Sequence, residues 1–455
     1  MIEISIPGNN LSERKYAVDI LFGEYLGLEY HVIADSEIRD YHLRIENGNQ
    51  LIIKDHFFSK FPGELQYMGL ENLPEKVVSG QNEFMPEQDM VILFGNDNLA
   101  EEVQKNKRII CSIDIIAGIF FMLTRWEEYV NKSRDGLNRF PASESVAKKF
   151  GFLYRPIVNE YVEFIWNLLK YLGCAQSRKV HRFSALITHD VDYILRWYSF
   201  THAIKALGAD IFKKFDLKYF GLDLIDYFKV ISQRKKDPFD TFDYLMQLSE
   251  DNGLKSYFFF MSIRRMRNLK YYELTHPMIR PLMDEIIRRE HFIGFHPGFN
   301  TCNNPVNWQS EYNYLSGISP VDLRYGRQHF LQFEAPVTWQ VWNDMNMSWD
   351  STLSYHDEAG FRAGTCYPFS TFNFLTRKKL DLIERPLIIM DKPLVQYNLR
   401  SGYNKMLNHA LDLLNTIKKY KGEFTFLWHN NRFNVKEWIP YQDIYRQIIN
   451  SCKGG

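Results

Sequence analysis

Residues 183–193, FSALITHDVDY, constrain this chain more than any other stretch. The apolar run Ala185, Leu186 and Ile187 reads as a short buried strand that ends in two acids, Asp190 and Asp192. Side chains two apart on an extended chain point the same way, so both carboxylates can face one cavity at the strand's C-terminal end. That edge is where α/β folds collect their catalytic groups. A strand running into a polar turn looks the same locally, because Asp favours turns. The reading therefore depends on what other strands bring to the same place.

From Asp240 the pattern becomes regular. Helices are predicted over 242–250, 277–289, 339–345 and 405–420, and Asp251-Asn252-Gly253 is a stop signal for the first. Strands are predicted over 255–261, 291–296, 327–333 and 423–429, with another inside 380–390. This alternation predicts a parallel, barrel-like (β/α) domain over residues 151–455. Residues 1–150 read as a smaller N-terminal α/β domain of unknown role. Its strands are expected at 1–6, 30–33, 41–46, 51–55 and 90–94, its helices at 11–26 and 110–130, and a tight turn at Asn47-Gly48. His31, His42 and His56 are isolated there, so no catalytic group is expected before about residue 150. A loop at 132–145 and a helix at 156–172 lead into the second domain.

The segment 194–236 is aromatic and basic, and its spacing suggests amphipathic helices. An insertion with a solvated basic face is the simpler reading; a membrane-surface or partner contact is the alternative. Lys+Arg and Asp+Glu are both 55, which argues against a nucleic-acid partner held by a basic footprint. The five cysteines are scattered without metal-finger or redox spacing, as reduced thiols would be. The first residues, MIEISIPGNNLSERK, are too polar for a secretory signal, and no uncharged apolar run reaches the length of a membrane span. A cytoplasmic location is expected.

Two further strands end in groups of the same kind. FIGFHPGFN (292–300) carries His296 at a strand end, and a helical turn there would put Asn300 on the same face. FTFLWHNN (424–431) ends its strand in His429. Three strands that each end in an ionisable or ligand-type residue predict a metal and acid/base site at one barrel mouth. Between them, GRQHFLQFEAP (326–336) places Arg327 and His329 on one strand face, and SWDSTL (348–353) puts Trp349 and Asp350 at another strand end.

These motifs resemble those of the NodB-type polysaccharide deacetylases, over roughly residue 183 to the C-terminus and with a large insertion after the first motif. Thr188-His189-Asp190-Val191-Asp192 matches that family's Thr-x-Asp with a second Asp, FIGFHPGFN its His-x-x-x-His run, and Leu427-Trp428-His429 its Leu-x-His. The resemblance implies that Asp190 is the general base, that Asp192, His296 and Asn300 hold a divalent metal, most simply Zn²⁺, and that His429 is the general acid. Asn300 stands where the family has a second His, and Phe333-Glu334-Ala335-Pro336 lacks the Arg usual before that Pro. Arg327 or His329 would have to substitute for that Arg. Trp349-Asp350 resembles the motif whose acid tunes the catalytic His, and Trp349 and Trp428 offer flat faces to a sugar ring. The implied activity is hydrolysis of an N-acetyl or O-acetyl group on a carbohydrate: a sugar, glycan or lipid-linked intermediate. The two departures favour a rival, a catalytically silent carbohydrate-binding barrel.

Overall fold

The structure is a computed structural model. It describes residues 1–103, 106–198, 203, 217–262, 265–266, 269–270, 272–395 and 402–453. The first part of the chain forms a mixed six-stranded sheet in the order β2-β1-β3-β4-β8-β7. Its strands are β1 Ile2–Pro7, β2 Tyr30–Asp35, β3 Tyr41–Arg44, β4 Gln50–Ile53, β7 Gly95–Val103 and β8 Lys107–Ile113; β5 Val78–Gly80 and β6 Met90–Ile92 form a separate pair. The Asn47-Gly48 turn closes the β3–β4 hairpin, with Gly48 at φ 84°, where a side chain would be strained.

The helix expected over 110–130 begins later. Residues 107–113 pair with β4 as strand β8, because Ile109, Ile110 and Ile113 suit a strand better than a helix. Asp114 then caps the helix Ile115–Thr124 by accepting from Ala117 N–H at 3.0 Å. Arg125, at φ 55°, separates that helix from a short one at Trp126–Val130.

The second sheet has nine strands, in the order β16-β17-β15-β14-β13-β10-β9-β19-β18. They are β9 Ser184–Val191, β10 Ser256–Phe260, β13 Phe292–Phe295, β14 Tyr325–Gly326, β15 Trp349–Asp350, β16 Phe369–Asn373, β17 Lys378–Glu384, β18 Ile389–Met390 and β19 Glu423–Leu427. A minor hairpin of β11 Arg265–Met266 and β12 Leu269–Lys270 lies apart. Every neighbouring pair in the large sheet is parallel except β16–β17. The fold is thus mixed α/β with several sheets, and among the described residues no ladder joins β16 to β18 to close a barrel.

The strand expected over 327–333 is absent. β14 stops at Gly326, and the chain turns through a 3₁₀ segment, His329–Leu331, with Phe330 and Leu331 at φ 59° and 54°. Gly326 lies so close to the Phe295 carbonyl that a Cβ there would collide with it. Of the segment 194–236, a helix at Leu217–Ile231 is described, whereas 199–202 and 204–216 lie outside the described residues.

One continuous apolar cluster runs through both parts of the chain. Buried ion pairs cross between them. Glu128, on the helix Trp126–Val130, binds Arg362 through two oxygens and Arg125 at 2.9 Å. Glu13 receives Arg377 at 2.8 and 2.9 Å.

Candidate metal and acid/base site

β9 lies between β10 and β19, with Asp190 opposite Phe259 and Thr188 opposite Leu427. Alternation along β9 turns Thr188 and Asp190 to one face and His189 to the other. There His189 is fully buried, bonding the Trp428 carbonyl at 2.7 Å, and burial pushes its pKa down to about 4. Asp192 follows just past the strand end. His296 follows β13, whose Phe295 pairs beside Phe260, so its ring arrives at the same level.

Arg327 fixes the first carboxylate. The guanidinium is fully buried and donates to Asp190 Oδ1 at 2.9 Å, Thr188 Oγ1 at 2.8 Å, Ser351 O at 2.8 Å and Ser351 Oγ at 3.0 Å. A rigid fork held at several points has little freedom left, so the carboxylate it holds is equally fixed. The other oxygen, Asp190 Oδ2, faces His296 Nε2 at 3.7 Å.

Asp192, His296 and His329 place one donor atom each within 4.8 Å of one another, which no other trio of His, Cys, Asp or Glu does among the described residues. His296 Nδ1 donates to the Arg327 carbonyl at 2.6 Å, which leaves Nε2 as a lone pair aimed inward. Nε2 and Asp192 Oδ1 are both buried, 3.5 Å apart, and neither makes a hydrogen bond. His329 Nε2 lies 3.7 Å from the same Asp192 oxygen. Burial lowers the His329 pKa to about 3, so the ring is neutral. Burial opposes a charge on Asp192 too, yet the three surrounding imidazoles outweigh it and hold the carboxyl well below the usual range. Burial likewise opposes a charged His296, but Asp190 and Asp192 outweigh it and raise that pKa. Two imidazoles and a carboxylate, with His296 Nε2 and Asp192 Oδ1 left without hydrogen bonds, fit a divalent cation.

His429 stands opposite. Its Nδ1–H donates to Asp391 Oδ2 at 2.8 Å, and its backbone N–H reaches the same oxygen at 2.7 Å. Nε2 then faces Asp192 Oδ2 at 3.7 Å. Burial works to raise the Asp391 pKa, but Arg432 (2.8 Å) and His429 outweigh it and keep the carboxyl ionised.

The structure therefore brings together Asp190, Asp192, His296, Arg327, His329 and His429. It leaves other sequence candidates outside. Asn300 is exposed at φ 65° with its N–H on Gln332 Oε1, because the chain after Pro297 does not form the helical turn that would bring it beside His296. Asp350 is buried below the site against Thr352 and is pushed up to about 7 by burial; Asp391 is the acid that holds His429. Trp349 stacks on Tyr325 at 4.6 Å, at the start of its strand rather than at the end that forms the site. Trp428 is fully buried among Phe426, Phe433 and Tyr445, and offers no face to a ligand.

Sequence reasoning missed Asp391 and the part that the expected loop at 132–145 plays at the cavity. In that loop Asp135 accepts from the backbone of Leu137 and Arg139 at 2.9 Å, and Asn138 turns the chain at φ 60°. The tight turn delivers Arg139 to the cavity, where Nη1 donates to Phe330 O at 3.2 Å. An acid-to-Arg spacing of four in a Gly/Asn loop was its one sequence signal. The cavity is about 60 Å³, lined by Asp190, Asp192, the three site imidazoles, His356, Arg139, Lys392 and Arg432. Its lining is almost wholly carboxylate, imidazole and cationic side chains, with Phe330, Leu331 and Met390 as the apolar part.

Residues 2–173 match a family of unknown function, DUF7033, which covers the first sheet and the helix Ile157–Tyr171. No curated protein matches the chain. Among solved structures it is similar to one from Mycobacterium smegmatis described as a "putative polysaccharide deacetylase", at 13% identity and a TM-score of 0.38, over 60% of this chain and 85% of that one.

Proposed function

We propose that the protein is a metal-dependent hydrolase that removes an N-acetyl or O-acetyl group from a carbohydrate, on a barrel of the polysaccharide deacetylase type. The observation that carries this reading is Asp190, clamped by Arg327 at 2.9 Å directly beside the Asp192–His296–His329 cluster. A base next to a metal-ligand set is what metal-assisted acyl hydrolysis needs.

In this reading Asp192, His296 and His329 hold the divalent ion, zinc being the simplest choice for this donor set. Such an ion supplies Lewis-acid polarisation of the acyl carbonyl and acidifies water. Asp190 Oδ2, left open by the Arg327 clamp on Oδ1, takes the proton of the attacking water. Asp391 holds His429 in the orientation that keeps Nε2 facing the cavity. Protonated His429 then gives its Nε2 proton to the departing amine or alkoxide.

In this reading the segment after β14 supplies what the two departures lack: His329 serves as the ligand that Asn300 does not, and Arg327 orients the base in place of the Arg absent before Pro336. The test is acetate release from N-acetylated and O-acetylated sugars by the zinc-loaded full chain, with Asp190→Asn as control. Removal of a general base typically costs about 10²–10⁴-fold, so a variant with near-native turnover would sink the assignment.

A further inference from the structure

We propose that the carbohydrate this site takes carries an anionic group, a phosphate or a carboxylate, close to its acyl group. The acyl chemistry rests on the hydrolase reading; the charge rests on separate observations. Three cationic side chains from three segments line the cavity: Arg139 from the loop, Lys392 from the short helix Asp391–Val395, and Arg432 beyond β19.

Two of them have carboxylate partners already shared with imidazoles. Arg139 grips Asp135 Oδ2 at 2.9 and 2.7 Å, and His356 Nε2 lies 3.2 Å from the same oxygen. Arg432 binds Asp391 at 2.8 Å, and Asp391 also serves His429. The inner acids are engaged as well: Asp190 faces Arg327, and Asp192 belongs to the metal cluster. Lys392 is the charge left over. It is partly buried and has no hydrogen bond or ion pair among the described residues. Burial together with Arg432 and Arg139 lowers its pKa, the sign of an ammonium held in an unfavourable field.

A half-buried cation with no partner among the described residues, sharing one cavity with two guanidiniums, costs free energy in the free protein. A substrate anion beside it offsets that cost, and the two guanidiniums add the planar donors that suit phosphate and carboxylate oxygens. A neutral sugar leaves Lys392 without that partner. Because the three cations line the same cavity as Asp190, Asp192 and His296, an anion held by them lies close to the acyl group.

The test is calorimetric binding to the full chain, metal-free and zinc-loaded, of four probes: N-acetylglucosamine, its 1-phosphate, its 6-phosphate, and N-acetylmuramic acid. At least one anionic probe should bind about 10-fold or more tighter than the neutral sugar in both forms, an advantage that shrinks as salt screens it. The advantage should fall below about threefold in Lys392→Gln and further in Lys392→Glu, as expected for loss and reversal of one charge. Which probe wins tells phosphate from carboxylate. Four results overturn the proposal: no anionic probe binds better than the neutral sugar, none binds at all, the advantage survives Lys392→Gln, or it appears only with zinc, the anion then being a ligand of the metal. An anionic preference without acetate release would sink the hydrolase reading alone. Acetate release with no charge preference would sink this one alone.

Discussion

At the residue scale the site turns on two side chains whose roles depend on where the chain folds. His329 brings a neutral imidazole within 3.7 Å of Asp192, while Asn300 points to solvent. We expect His329→Ala to lose zinc affinity by at least about 100-fold, since a ligand matters more than the outer contacts whose loss costs about 10–100-fold. Asn300→His should leave affinity within about twofold, because an exposed side chain outside the cluster cannot join it. Competition with a chromophoric chelator at fixed pH measures both; a rise in affinity in Asn300→His would return that residue to the ligand set. Asp391 invites a different test. Asp391→Asn keeps the size of the side chain but removes the carboxylate that accepts the His429 Nδ1–H. We expect kcat to fall about 10²-fold, with zinc content unchanged. The fall should be larger on an N-acetyl substrate than on an O-acetyl one, since an amine leaves only with a proton. Equal losses on both would show that Asp391 does not act through His429.

Among elements, the segment after β14 decides most. Two consecutive left-handed residues, Phe330 and Leu331, are costly outside glycine, at about 1–3 kcal/mol each, and they end a strand that could have run to Phe333. That turn keeps His329 and Arg327 on the cavity side even though the backbone is not extended. β19 comes closer to expectation, a strand read over 423–429 that forms over Glu423–Leu427, two residues short of the expected end. Its Trp428, however, packs against Phe433 and Tyr445 with its indole N–H on the Arg432 carbonyl at 3.0 Å. Trp428→Ala should therefore cost about 3–5 kcal/mol of stability. Chemical denaturation should show that loss, while the KM for an acetylated sugar, measured well below the melting temperature, should hold. A large rise in KM with unchanged stability would make Trp428 a sugar platform after all.

Across the whole molecule, the two sheets share one core, and Glu128 joins them. Its carboxylate is buried between Arg125 and Arg362; burial alone would raise its pKa, but the two guanidiniums outweigh burial and bring it from the ordinary 4.5 to about 2. A depressed carboxyl adds stability above its unfolded pKa and loses it as pH falls toward the folded one. The contribution is therefore full above pH 4.5 and fades toward pH 2, on the order of 3 kcal/mol at about 1.4 kcal/mol per unit. Glu128→Gln should flatten the acid limb of the stability curve. At neutral pH it should cost about 3–5 kcal/mol, because both arginines stay buried without their partner. Thermal melts from pH 2.5 to 7 check both, and we expect one cooperative transition for the whole chain. An unaltered acid limb would show that Glu128 is not the group whose protonation weakens the join.

The sequence by itself determined the parts of this protein that depend on local order. Alternation along FSALITHDVDY placed Asp190 and Asp192 at one strand end, and the apolar runs before His296 and His429 marked two more ends. The strand–helix rhythm after Asp240 announced a parallel sheet, because period and propensity act over a few residues. What only the tertiary structure decided were the contacts between distant segments. Position 326 takes only a glycine because the Phe295 carbonyl of β13 leaves no room for a Cβ. Asp391 rather than Asp350 meets His429, because β18 lies beside β19 whereas β15 lies across the sheet. Arg139 reaches the cavity because Asp135 and Asn138 fold its loop back onto Phe330. Such neighbours are set by which strands pair and which loops close, and a chain read in one dimension carries that information only through the whole fold.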